Sequence, residues 1–128
     1  MMFTTRIIAL VAVAGLSFTG TALAHTKLVS STPAANATVA ASKTIMLAFN
    51  EKVMVPFASV DVTMTSMPGM ANHKPMKLNG LKSSWSSDGK TMTLTAGRAF
   101  PAGSYQVAWR AAGSDTHRIE GKFSFSVK

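Results

Sequence analysis

Residues Met64 to Met76, reading MTSMPGMANHKPM, hold four methionines, one histidine and two prolines. A thioether is neutral, soft and polarisable, so it favours Cu(I) or Ag(I) over zinc, calcium or magnesium. It needs no deprotonation and forms no disulfide. Pro68, Gly69, Asn72 and Pro75 mark the stretch as exposed loop and not as regular structure. Methionine as irregular core filler accounts for Met46 and Met92, which sit in alternating runs, and in part for Met64. It accounts poorly for Met67, Met70 and Met76, which are flanked by Pro, Gly, Asn and Lys. Those sulfurs are better read as soft-metal donors, with His73 lying among them.

The other two of the three histidines are placed differently. The first 24 residues hold one charge (Arg6), an apolar run from Ile7 to Leu16 and small residues at Ala22 and Ala24. That order is a secretory signal peptide, and the run is too short to span a bilayer. Cleavage after Ala24 makes His25 the first residue. Its α-amine and imidazole can then chelate one ion, an arrangement that suits Cu(II). His117 stands two residues after Asp115 in GSDTHRIEG. If that stretch is extended, both side chains project to one side and can share an ion.

The elements that must hold these groups are strands. TIMLAFN, SVDVTM, TMTLT, SYQVAWR and KFSFSVK each alternate apolar and polar residues, so each has a core face and a solvent face. Turn residues separate them, and Asp88-Gly89 reads as a tight hairpin. No segment keeps a helical period. Seven or eight short antiparallel strands over residues 25–128 point to an all-β sandwich or small Greek-key barrel with one core. No further segment could cross a membrane, so the mature product is expected to be soluble and exported. The chain has no cysteine, so packing must stabilise it and any soft-metal site must use methionine. The formal charge is +8, and the nine lysines are scattered and form no nucleic-acid stripe. No phosphate loop, zinc-finger spacing or nucleophile elbow is present in the sequence.

Taken together, HTKLVSSTPA, LAFNEKV, the methionine segment, YQVAWRAAGSDTH and GKFSFSVK resemble the periplasmic copper-resistance proteins of the CopC/PcoC type over essentially the whole of residues 25–128. The resemblance implies an immunoglobulin-like Greek-key β-barrel with copper sites at opposite ends. It implies a Cu(II) site formed by His25, Asp115 and His117, with Glu51 where some members supply a further oxygen. It implies a Cu(I) site drawn from Met64, Met67, Met70, His73 and Met76. Two residues, Ala71 and Asn72, separate Met70 from His73, one more than the family pattern, so the resemblance carries over less directly to His73 than to the sulfurs. By the same resemblance the partners are an inner-membrane CopD-type copper protein and a periplasmic multicopper oxidase. The implied role is a copper carrier and not an enzyme.

Three other readings have less support. A histidine-brace copper monooxygenase needs a flat aromatic platform, whereas Tyr105 and Trp109 are phased with a core face. A hydrolase would have to use Ser114, Asp115 and His117, whose adjacency in the chain is no sign of a triad. A plain structural sandwich leaves the loop methionines unexplained.

Overall fold

The computed structural model describes residues 26–70 and 74–128, and each alternating run lies on a strand in it. The strands are β1 (Leu28–Thr32), β2 (Thr38–Val39), β3 (Thr44–Phe49), β4 (Ser59–Ser66), β5 (Met76–Lys77), β6 (Lys82–Trp85), β7 (Thr91–Thr95), β8 (Gly103–Ala112) and β9 (Arg118–Val127). One turn of 3-10 helix, Val55–Phe57, is the sole helical element among the described residues. One sheet runs β1-β3-β7-β6 and the other β2-β9-β8-β4-β5. The expected signal peptide, His25 and His73 lie outside the described residues.

The two sheets close on one apolar core. Ile45, Leu47 and Phe49 from β3 and Met92 and Leu94 from β7 meet Val62, Tyr105, Val107, Trp109, Phe125 and Val127 from the facing sheet. The alternation that predicted these faces is obeyed because each strand buries every second side chain. Two expectations need correction. The pairing is not wholly antiparallel, since β2 runs parallel to β9. The methionine segment is not loop throughout, since β4 continues to Ser66 and β5 begins at Met76.

Aromatic contacts lock the sandwich. Tyr105 is fully buried and its hydroxyl donates to the Pro101 carbonyl at 2.5 Å, the tyrosine corner of immunoglobulin-like sandwiches. Trp109 lies edge-on to Phe49, with centroids 5.5 Å apart, and covers Gly121 on the neighbouring strand. A Cβ at Gly121 would come within 2.6 Å of the indole. Tyr105 and Trp109, phased with a core face in the sequence, are both spent on packing.

The strand directions define two ends. Phe49, Trp85, Ser59, Ala112 and Arg118 end or begin their strands at one; Thr44, Thr95, Ser66, Gly103 and Val127 lie at the other. The asparagine-glycine and aspartate-glycine turns behave as their chemistry requires, with Gly80 at φ 76° and Gly89 at φ 70°. The Asp88-Gly89 hairpin joins β6 to β7 through Ser86 N–H to Thr91 O and Gly89 N–H to Ser86 O.

Candidate metal centres

The first end is a junction of three segments. The strand leading from the N-terminus is tied to the corner after β3: Lys27 N–H donates to Asn50 Oδ1 at 2.8 Å, and Asn50 N–H to the Lys27 carbonyl at 3.1 Å. Thr26 is buried, and its hydroxyl donates to Glu51 Oε1. The third segment, the turn between β8 and β9, begins at Gly113 against both. A Cβ there would lie 2.1 Å from Thr26 Oγ1 and 2.2 Å from Glu51 Oε1, so only glycine lets the three meet this closely.

Asp115 and His117 sit on that turn, but not in the extended form expected. Thr116 N–H donates to the Gly113 carbonyl at 2.9 Å, and Thr116 has φ 63°. The chain therefore reverses, and the Asp115 carboxylate caps the reversal by accepting His117 N–H at 3.1 Å. The same carboxylate faces His117 Nδ1 at 3.3 Å. The two side chains reach one side through a turn instead of through strand geometry. Among the described residues no three His, Cys, Asp or Glu side chains converge on a single point. The arrangement thus places the residue after His25, Glu51 and the Asp115–His117 turn at one corner, with His25 outside the description.

At the other end the four sulfurs separate into two kinds. Met64 is on the core face of β4, 4% exposed, where it serves as packing. It pairs in register with Met76, which begins β5 and is 53% exposed. Met67 and Met70 are joined by a β-bridge, and Met70 N–H donates to the Met67 carbonyl at 3.1 Å. Between them are Pro68 and Gly69, the latter at φ 77°. Proline followed by a left-handed glycine is the chemistry of a type II turn. MPGM is therefore a reverse turn that sets Met67 and Met70 side by side. Met67 leans on the core, and Met70 is 53% exposed.

Two features were not anticipated. One is the Thr26–Glu51–Gly113 junction, for which the lone glycine ahead of SDTH was the available clue. The other is Arg118, whose guanidinium lies 5.6 Å above the Phe57 ring beside the same turn.

An immunoglobulin-like sandwich with nitrogen and oxygen donors at one end and thioethers at the other defines a narrow class of protein. Comparison with known proteins places the chain within it: the CopC domain family matches residues 28–128, and the chain belongs to that family. It is 43% identical over 129 residues to copper resistance protein C of Xanthomonas campestris pv. juglandis, covering 99% of this chain and 100% of that one. It is 43% identical over 116 residues to copper resistance protein C of Escherichia coli, covering 91% and 90%. Among solved structures, PcoC, a methionine-rich copper resistance protein from Escherichia coli, superposes with a TM-score of 0.73 at 42% identity, over 82% of this chain and 100% of that one. CopC from Methylosinus trichosporium OB3b gives 0.64 at 30% identity, over 81% and 94%.

Proposed function

We propose that the chain is an exported, periplasmic copper carrier that holds Cu(II) at the junction end and Cu(I) at the methionine end. The observation that carries the reading is the exposure of Met70 and Met76 on strands and a turn that also present Met67. A core would have buried these side chains, and sulfurs grouped at the surface suit a soft ligand set, unlike Met46, which is exposed on β3 at 41% away from them. The names of the relatives, copper resistance protein C, support copper as the cargo.

In this reading Met67, Met70 and Met76 take Cu(I), with His73 able to join. Met64 contributes mainly by fixing β4, because its side chain is packed inward. His25, by its amine and ring, takes Cu(II) with Asp115 and His117, and Glu51 offers a further oxygen beside Thr26. The donor chemistry lets oxidation state decide which end is filled. Water-accessible thioethers can hand their ion to a partner by ligand exchange, which a closed site would slow. An inner-membrane copper protein and a multicopper oxidase are the partners we propose. The chain acts as carrier and not as catalyst.

The test is separate titration of the exported protein with Cu(I) and Cu(II), with sulfur scattering read from X-ray absorption of the cuprous form. Sulfur neighbours are expected for Cu(I) and nitrogen and oxygen neighbours for Cu(II). A cuprous complex without sulfur neighbours overturns the reading. Mass spectrometry of the exported protein must also give His25 as its first residue, because any other terminus removes the chelating amine.

A further inference from the structure

The methionine end also carries a cavity and a charge pattern that copper binding does not require. A cavity of about 550 Å³ opens there, lined by Leu78, Leu81, Ala96, Arg98, Phe100 and Pro101. Its wall is stiff. Phe100 is buried against Tyr105 with centroids 5.5 Å apart, and the Tyr105 hydroxyl holds Pro101. It adjoins the thioethers, because Leu78 follows β5 directly and donates its N–H to the Val62 carbonyl at 2.8 Å. On the other side Pro101 leads into Gly103, which lies against the Ser66 carbonyl and the Met64 methyl.

One cation, Arg98, lines the cavity, and others stand next to its lining in the chain: Lys82 follows Leu81, Lys77 precedes Leu78, and Lys43 pairs by its carbonyl with Ala96 N–H at 2.8 Å. All four side chains are exposed. The chain has five acidic side chains, and four of them lie at the junction end: Glu51, Asp88, Asp115 and Glu120. The fifth, Asp61, is engaged by Lys77 at 3.0 Å. The side-chain charge is therefore polarised along the molecule, with the thioethers at the pole away from four of the five acidic side chains.

Resting on the copper-exchange reading, we propose that this face docks an acidic protein surface presenting one large apolar side chain. The apolar side chain enters the Leu78–Leu81–Phe100 cavity, and carboxylates around it meet Lys43, Lys82 and Arg98. A small open apolar cavity with Arg98 at its edge and lysines nearby matches a hot-spot anchor with complementary surroundings better than it matches a bilayer, which would need a broad apolar face. A second copy presenting the same face would meet like charge. Docking here would bring a partner's ligands beside Met70 and Met76, the geometry that ligand exchange needs.

The experiment uses the copper-free exported protein, labelled with 15N and titrated with a short peptide in which one leucine is flanked by aspartates. Amide shifts are expected at Leu78, Leu81, Ala96 and Arg98 but not at Arg110 or Arg118, with affinity falling as salt rises. Lys82→Glu with Arg98→Glu, both at exposed positions, should weaken the peptide by about fivefold or more and should not lower Cu(I) affinity. Equal binding of the same peptide with asparagines in place of aspartates overturns the proposal. So does tighter association with phosphatidylglycerol vesicles, or self-association that the peptide fails to displace. If the peptide fails while Cu(I) still binds sulfur, only the docking face is lost. If Cu(I) fails to bind sulfur, the carrier reading is lost whatever the peptide does.

Discussion

The two ends of the sandwich solve opposite electrostatic problems. At the junction end the proposed donors include carboxylates, which would offset the charge of a divalent ion but must be kept from spoiling the fold. Thr26 satisfies Glu51, and the backbone of the turn satisfies Asp115, so both acids are held by hydrogen bonds. At the methionine end the donors are neutral, and the surroundings are basic. On the proposed reading a monovalent ion there would receive no compensating charge from the described side chains, which would favour release over storage. The difference teaches that one end is built by polar closure around charged ligands. The other is built by strand pairing that leaves uncharged ligands outside the core.

The sharpest way to break this comparison is to remove the two sulfurs paired by the MPGM turn. Met67→Leu with Met70→Leu keeps apolar volume and should lower Cu(I) affinity by about a hundredfold or more, since even supporting residues of metal sites are worth 10–100-fold. Cu(II) affinity at the far end should not change. Competition with a chromophoric chelator for each ion reads both. Equal losses for the two ions would show that the ends are not separate.

Each end also closes on one glycine, and the two should fail differently. Gly103 has φ 151° and its absent Cβ would sit 2.4 Å from the Ser66 carbonyl, a backbone atom that cannot step aside. Gly103→Ala should cost about 2–3 kcal/mol in urea unfolding. At Gly113 the obstacles are the ends of the Thr26 and Glu51 side chains, which can swing away. Gly113→Ala should cost only about 1 kcal/mol, the worth of their hydrogen bond, yet weaken Cu(II) binding while sparing Cu(I). A Gly113→Ala protein with unchanged Cu(II) affinity would remove Glu51 and the junction from the site.

Much of this was legible in the sequence, and the limits have physical causes. Strand faces could be read because burial on one side imposes a period of two, as in Thr44–Phe49. Pro68 and Gly69 do mark an exposed turn, but composition does not show that this turn pairs Met67 with Met70 or that strands β4 and β5 reach into the segment at Ser66 and Met76. Asp115 and His117 could be paired by spacing, but not the reversal at Thr116, since a left-handed threonine leaves no compositional mark. The approach of Gly113 to Thr26 and Glu51 joins residues far apart in the chain. Beyond the glycine itself, no local pattern encodes it.

The smallest expected effects distinguish the ends by pH. At the junction end, Asp88 is held below the usual carboxylate range by the Ser86 hydroxyl first and then by Lys90 N–H. Its stabilising contribution is present above the unfolded value near 4 and is lost as pH falls through the lowered native one. At the methionine end, burial raises the Tyr105 phenol above its ordinary value near 10. The unfolded chain then ionises first, so stability is full below pH ~10 and declines as pH rises through the raised native value. Asp88→Asn should therefore flatten only the acid limb of the stability profile. Tyr105→Phe should flatten only the alkaline limb, while lowering stability at neutral pH by about 1 kcal/mol through loss of the Pro101 hydrogen bond. Urea midpoints across the pH range separate these outcomes. An alkaline limb that survives Tyr105→Phe would mean that the corner holding the docking cavity is not what loosens at high pH.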